Sequence, residues 1–148
     1  MAKLAELRNI IGVKEASGNL EQISRIAMLC GKKFIILSGD DALTRPVMSV
    51  GGKGVISVVA NIVPAQVAEM VRAYENGNAQ EALEMHLRLL PIVKAMFIET
   101  NPIPVKTAMS LMGVISAEFR LPLCSMDDAN LLKLKAVLKQ YNLISQEA

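Results

Sequence analysis

The chain has 148 residues, 52% of them apolar, and its sixteen Lys and Arg against fourteen Asp and Glu leave a formal net charge of +2. This composition indicates a folded globular protein and argues against a disordered one. The small charge and the scarcity of aromatic residues argue against a nucleic-acid-binding surface. No apolar run approaches the roughly 20 residues of a membrane span, and the two cysteines lack a C-x-x-C spacing, so we expect a cytoplasmic protein without nucleic-acid or membrane partners.

Three short apolar runs along the first half of the chain are predicted to be β-strands. They cover residues 10–13, 34–37 and 55–59, and each is bounded by Gly, Ser, Asp or Lys. None of the runs alternates polar with apolar residues. We therefore expect both faces of each strand to be covered by other parts of the protein.

Apolar residues at helical spacing fill the intervals around these runs. Asn19 is predicted to cap a helix that ends at Gly31. Asp40 and Asp41 can cap a short second helix, and Pro64 fits the first turn of a third. Strands that alternate with helices over short connections predict an α/β fold with a parallel sheet and right-handed crossovers.

The rest of the chain is predicted to be helical, with Pro91 expected to kink the first of its helices. The predicted helices cover residues 78–98, 105–112 and 127–141. No linker is visible, so residues 1–77, with the β/α units, and residues 78–148, a helical tail packed on them, are treated as one domain. Three parallel strands leave two unpaired edges, which indicates that the chain is part of a larger sheet.

Lys14 directly follows the first predicted strand, at the end where parallel α/β folds build their ligand sites from loops. Two interpretations stay open. The side chain can simply extend into solvent. Alternatively it is held among apolar walls, where a lysine amine has a lowered pKa and attacks carbonyl compounds to form a Schiff base.

Each of the other candidate residues also has a structural explanation. Gly39 is either a turn residue with positive φ or a position that leaves room for a substrate. Asp40 and Asp41 are either helix caps or a general acid and base. His86 is the only histidine, so no metal site can be built around it. Lys106 lies in a predicted helix without an evident apolar pocket and is a weak second candidate for a Schiff base.

Four segments together resemble one enzyme family. They are GVKEASGN (12–19), LSGDD (37–41), GGKGVISVVAN (51–61) and NPIPVK (101–106). In sequence, order and spacing they resemble the carboxyl-terminal half of 4-hydroxy-tetrahydrodipicolinate synthases, also called dihydrodipicolinate synthases, among the pyruvate-dependent class I aldolases. N-acetylneuraminate lyases and related keto-acid aldolases share the lysine, but SGDD and NPIPVK fit the synthases better. The resemblance implies the last three β/α units of an eight-stranded β/α barrel, followed by a helical tail, in a protein that is usually a homotetramer.

The resemblance also implies a chemistry for three residues. The family lysine that matches Lys14 forms an imine with pyruvate, without another cofactor, and the resulting enamine attacks L-aspartate 4-semialdehyde in lysine biosynthesis. Gly39 matches the glycine that lines the pyruvate pocket. Ile56 matches the residue whose backbone carbonyl lies beside the bound keto acid. The implied partners are therefore pyruvate and L-aspartate 4-semialdehyde.

Other functional groups of the family match nothing in this chain. The tyrosine and threonine proton relay, and the arginine that receives the semialdehyde carboxylate, belong to the preceding half of those enzymes. The chain is therefore expected to be a fragment that forms a homo-oligomer or pairs with an amino-terminal half. General acid–base groups contribute about 10²- to 10⁴-fold to rates, so we expect little or no turnover from this chain alone. The alternatives are another pyruvate-dependent aldolase and a non-catalytic half-barrel.

Overall fold

The computed structural model describes residues 1–146, which form three β-strands and seven α-helices. In chain order the elements are α1 Ala2–Ala5, β1 Gly12–Glu15, α2 Leu20–Cys30, β2 Ile35–Ser38, α3 Thr44–Ser49, β3 Gly54–Val55, α4 Pro64–Glu75, α5 Ala79–Met96, α6 Ile103–Leu111 and α7 Asp128–Gln140. Two 3₁₀ turns cover Asp41–Leu43 and Val59–Asn61. The predicted α/β class is confirmed. Within residues 1–146, no helix combines the length and the apolar character needed to cross a membrane.

The strands begin and end at different residues from those predicted. Strand β1 begins at Gly12, two residues after the start of its apolar run, and extends through Lys14. Strand β3 has only two residues, and the chain has entered a 3₁₀ turn by Val59. An apolar run reports which residues are buried, whereas a strand is defined by hydrogen bonds to its neighbour. The two measures therefore differ at strand ends.

The chain divides into two compact units, and the first contains the sheet. It comprises Met1–Ser57 and Ala68–Leu87. The strands pair in the parallel order β1-β2-β3, with Lys14 beside Leu37 in the register. On one face of the sheet, four buried side chains from β2, its preceding turn and the helices α2 and α3 form the core: Ile23, Phe34, Ile36 and Val47.

The opposite face of the sheet is open. Side chains alternate between the two faces of a strand, so Lys14 and Ile35 point away from the core that holds Ile36. Ile11 is 69% exposed and Ile35 is 41% exposed. The prediction that both faces are covered is therefore wrong for the described residues. Within this unit, helices α2 and α3 pack on the core face of the sheet and not on the opposite face.

Local capping signals position helix α2 as predicted. The Asn19 side chain accepts a hydrogen bond of 3.0 Å from the Gln22 backbone N–H. At the other end Gly31 has a φ of +74°, in a region that residues with a side chain rarely adopt. Both predicted ends of this helix are confirmed. The helix thereby begins five residues after the strand that carries Lys14.

Arg45 of α3 lies near side chains of two other helices of the first unit, one of which is a buried histidine. His86 of α5 is buried near Arg45 of α3, whose guanidinium carbon lies 5.8 Å from the centroid of the Tyr74 ring of α4. Among the residues that the structure describes, the buried Nε of Arg45 finds no hydrogen-bond partner. Burial is the larger cause that lowers the pKa of His86 below its ordinary 6.5, and the positive charge of Arg45 adds to it.

This histidine predicts an acid-sensitive fold. Because the pKa of His86 is lower in the folded chain than in the unfolded one, the unfolded chain binds the proton more readily below pH 6.5. The free energy of unfolding should therefore fall as the pH drops from 6.5 through the lowered folded-state pKa. We expect His86→Gln to remove part of this dependence in urea unfolding measured from about pH 8 to about pH 5. An identical pH dependence in both proteins would contradict the assignment.

The second unit comprises Val58–Val67 and, within the described chain, residues 88–146. Helix α6 contacts α7 and the 3₁₀ turn at Val59–Asn61. The Glu99 carboxylate accepts hydrogen bonds from the Asp127 backbone N–H at 3.0 Å and from Asn130 Nδ2 at 2.9 Å, which holds the start of α7. The fully buried side chains of the second unit include Ile92, Met96, Leu134 and Leu138. The predicted division of the chain at residue 77 stays a prediction.

Candidate functional site

The three predicted site residues lie at one edge of the sheet. Lys14 is the third residue of β1, Gly39 directly follows β2, and Ile56 directly follows β3. Hydrogen bonds continue between these strand ends: the Gly39 N–H donates to the Glu15 carbonyl at 2.7 Å, and the Ile56 N–H donates to the Ser38 carbonyl at 2.8 Å. Loops at the carboxyl ends of parallel strands build the ligand sites of such folds.

Gly39 is a point of close approach to the lysine. A methyl group at Gly39 would lie 2.7 Å from Ala16 Cβ, 3.0 Å from Lys14 Cε and 3.2 Å from Lys14 Cγ. The aliphatic part of the lysine thus runs directly against the glycine. Gly39 is not among the glycines with positive φ in the described chain. The interpretation as a turn residue with positive φ is therefore wrong, the crowding by Ala16 and Lys14 leaves no space for a side chain here, and the room for a substrate stays a prediction.

Lys14 and Ile56 line a cleft of about 430 Å³ on the open face of the sheet. The other lining residues are Asn9, Ile10, Ile11, Gly12, Val13, Ile35 and Leu37. Among these nine residues Lys14 is the only one with an ionisable side chain. The cleft therefore offers a nucleophilic amine in apolar surroundings, without a lining group that could act as general acid or base beside it.

Water reaches the lysine in this structure. The Lys14 side chain is exposed, and Ile56 beside the same cleft is 47% exposed. The interpretation with apolar walls on every side is therefore not met by the described residues alone. The sheet supplies the position of the amine, and a covering partner on the open face would have to supply the exclusion of water.

Glu15, which is not among the predicted site residues, holds the loop that follows the lysine. Its buried carboxylate faces the core side and accepts hydrogen bonds from Ser17 Oγ and from Gln22 Nε2, both at 2.9 Å. These contacts fix the loop that presents Ala16 against Gly39. A carboxylate directly after an apolar run, followed by Ser and Gln, was the available signal.

The two aspartates are engaged in structural contacts. Asp40 Oδ1 accepts a hydrogen bond of 2.8 Å from the Ala42 backbone N–H and so caps the 3₁₀ turn. The Asp41 carboxylate, only 6% exposed, accepts one from Ser57 Oγ. Neither aspartate lines the cleft that contains Lys14. These contacts favour the structural interpretation over a general acid and base.

The remaining candidates offer no second reactive centre. Lys106 Nζ donates a hydrogen bond to the Glu118 backbone carbonyl and lies 5.0 Å from the centroid of the Phe119 ring, so its amine is engaged. His86 is buried beside Arg45 in the first unit. In residues 1–146, no group of three His, Cys, Asp or Glu side chains is arranged to hold a metal ion.

The fold is that of an α/β protein with a parallel sheet. Its one lysine at the carboxyl ends of the strands lies against a glycine and is a candidate Schiff-base amine. The model of the dihydrodipicolinate synthetase family matches residues 1–141. The chain belongs to this family. The resemblance inferred from its four sequence segments is thereby confirmed.

Known relatives match this chain over half of their length. The 4-hydroxy-tetrahydrodipicolinate synthase of Citrifermentans bemidjiense is 54% identical over 144 residues, which are 97% of this chain and 50% of the relative. The crystal structure of dihydrodipicolinate synthase from Aquifex aeolicus is 49% identical, with a TM-score of 0.96 over 99% of this chain and 50% of that one. The chloride-inhibited dihydrodipicolinate synthase of Acinetobacter baumannii, complexed with pyruvate, is 33% identical, with a TM-score of 0.92 over 97% of this chain and 49% of that one. The chain thus spans about half the length of its relatives.

Proposed function

We propose that this chain supplies the imine-forming part of a 4-hydroxy-tetrahydrodipicolinate synthase, with Lys14 as the nucleophile for pyruvate. The observation that carries the proposal is the position of Lys14, which runs against Gly39 and is the only ionisable residue lining an apolar cleft at the sheet edge. The names of the relatives, and the pyruvate complex of one of them, support the choice of substrate. No metal or organic cofactor takes part.

In the proposed reaction, the neutral Lys14 amine attacks the ketone carbon of pyruvate, and water leaves to give a protonated imine. Loss of a proton from the adjacent methyl group gives an enamine, because the protonated imine accepts the electron pair. The enamine carbon then bonds to the aldehyde carbon of L-aspartate 4-semialdehyde, whose oxygen takes up a proton, and the protonated imine forms again. The amino group of the semialdehyde part then attacks the imine carbon, which closes a ring, and the carbon–nitrogen bond to Lys14 breaks to give back the free amine. Gly39 leaves room for the keto acid, and the Ile56 backbone carbonyl lies beside it.

The open face of the sheet requires a partner in this proposal. Apolar residues such as Ile11 and Ile35 are exposed there, and both outer strands have unpaired edges. We assign this face to the remaining strands of an eight-stranded barrel, contributed by an amino-terminal half or by another copy of the chain. Residues 1–77 would then form the last three β/α units and residues 78–148 the helical tail, in a cytoplasmic protein.

The proposal also explains why this chain alone should turn over slowly. The step from imine to enamine needs a proton acceptor, and the residues lining the cleft with Lys14 offer no ionisable group for it. Groups of this kind contribute about 10²- to 10⁴-fold. The chain should therefore capture pyruvate but condense it with the semialdehyde very slowly until a partner supplies the proton relay.

Reductive trapping tests the proposal. The purified chain is incubated with pyruvate, reduced with borohydride and mapped by mass spectrometry, with lactate in place of pyruvate as the control that lacks a ketone. We expect a stable adduct on Lys14 with pyruvate alone. A chain that gives no adduct would overturn the proposed imine and favour the non-catalytic half-barrel. Sedimentation of the same preparation reports self-association, which a clean monomer would exclude.

A further inference from the structure

Hydrogen bonds between strands β2 and β3 continue past the last residues of the strands. The Ile56 N–H donates to the Ser38 carbonyl at 2.8 Å. One residue further, Ser57 Oγ donates to the buried Asp41 carboxylate, sixteen positions earlier in the chain. Ile56 is therefore flanked by an anchor on its own amide and by a second anchor on the residue that follows it.

We propose that the hydrogen bond between Ser57 and Asp41 is a positioning contact, which orients the Ile56 carbonyl toward the keto acid bound at Lys14. The Ile56 carbonyl lies in the planar peptide unit that joins it to Ser57, so holding Ser57 fixes the direction of this carbonyl. The Ile56 side chain is 47% exposed and strand β3 has two residues, so packing and strand pairing constrain this segment weakly. This inference rests on the proposed function for its link to pyruvate.

The Asp41 end of this contact is itself fixed. The Asp41 backbone carbonyl accepts a hydrogen bond of 2.9 Å from Thr44 Oγ1. Ser38 Oγ donates to the Asp40 carbonyl at 2.7 Å, across the turn that contains Gly39. A hydrogen bond to a carboxylate is stronger than a neutral one, and burial protects it from competing water. The glycine beside Lys14 and the carbonyl of Ile56 thus belong to one hydrogen-bonded frame.

Three serine variants test this role. Ser57→Ala removes the donor, and Ser57→Thr keeps a hydroxyl at the same place. Ser49→Ala is the matched control, because Ser49 Oγ donates at 2.6 Å to the Pro46 carbonyl within α3 and does not line the cleft. Two quantities are measured in the full chain: amide hydrogen exchange at Ile56, and the rate of pyruvate trapping on Lys14 with borohydride.

We expect Ser57→Ala to speed exchange at Ile56 and to slow trapping, each by about tenfold, the change that follows from losing one hydrogen bond to a charged group. Ser57→Thr and Ser49→Ala should stay close to the original chain in both measurements. Unchanged trapping in Ser57→Ala overturns the inference, and so does an equal loss of trapping in Ser49→Ala. An original chain that traps no pyruvate overturns the proposed function itself, and exchange at Ile56 then decides whether Ser57 fixes this segment.

Discussion

Replacing Lys14 by alanine is expected to abolish the trapping of pyruvate that borohydride reduction detects. The amine is the only nucleophile among the side chains that line the cleft, so its removal leaves no group there that can form an imine. Lys106→Ala should trap pyruvate as the original chain does, because its amine is bound to the Glu118 carbonyl. Intact mass and peptide mapping after reduction measure both outcomes.

Two features make the Lys14 result decisive. The side chain is exposed, and exposed substitutions usually change the free energy of unfolding by no more than about 0.5 kcal/mol, so the loss of trapping cannot be attributed to unfolding. Lys14→Arg keeps the positive charge, but its guanidinium stays protonated and forms no imine, so this variant should fail as well. An adduct that persists in Lys14→Ala would assign the chemistry to another amine.

The features that the sequence predicts correctly depend on neighbouring residues along the chain. The sequence predicts Asn19 and Gly31 as the ends of α2, because capping needs only a side chain within one turn or a glycine with positive φ. The sequence also predicts that Lys14 lies near the carboxyl end of β1, because a short apolar run precedes it. The sequence does not predict the end of β3. The length of this strand depends on how many residues of β2 pair with it, and the local sequence of β3 carries no information on that number.

The environment of the site depends on contacts between residues that are distant in the chain, and the sequence does not reveal these contacts. Ser57 and Asp41 each have an ordinary local explanation, and nothing in the sequence pairs them across sixteen positions. Ile35 belongs to an apolar run that indicated burial on both sides, yet the described residues leave it exposed. A hydrophobic run indicates that a surface is suited to burial, and it does not say which residues would cover it.

The distribution of chemical groups gives the exposed face a functional meaning. In the proposed site, this chain would contribute the amine, the glycine beside it and a backbone carbonyl, all at the carboxyl ends of neighbouring strands. Apart from Lys14, no residue that lines the cleft between Lys14 and Ile56 has an ionisable group to move protons. A partner that covers this face would exclude water and add acid–base groups in the same step. We therefore expect the rate of the proposed condensation to increase with the fraction of chains that are bound to such a partner.

Replacing Gly39 by alanine is expected to slow pyruvate trapping while Lys14 itself remains in place. The added methyl group would lie 2.7 Å from Ala16 Cβ, so the loop carrying Ala16 must move, and 3.0 Å from Lys14 Cε, so the lysine side chain must also give way. Overpacking of this kind costs about 1–3 kcal/mol. Because the lysine side chain is the more mobile neighbour, we expect it to leave the cleft. The trapping rate per folded molecule should therefore fall, beyond any loss of folded molecules that follows from a lower free energy of unfolding.

A second crowded glycine supplies the matched control for this prediction. A methyl group at Gly52 would lie 2.6 Å from Val47 Cγ1 and 2.9 Å from the Val47 carbonyl oxygen, and neither Gly52 nor Val47 lines the cleft. Gly52→Ala should therefore lower the free energy of unfolding without changing trapping by the molecules that stay folded. Urea unfolding and trapping rates are measured on both variants. If Gly39→Ala and Gly52→Ala reduce trapping equally once corrected for the folded fraction, crowding at Gly39 acts through stability alone, and its place beside the reactive amine has no chemical consequence.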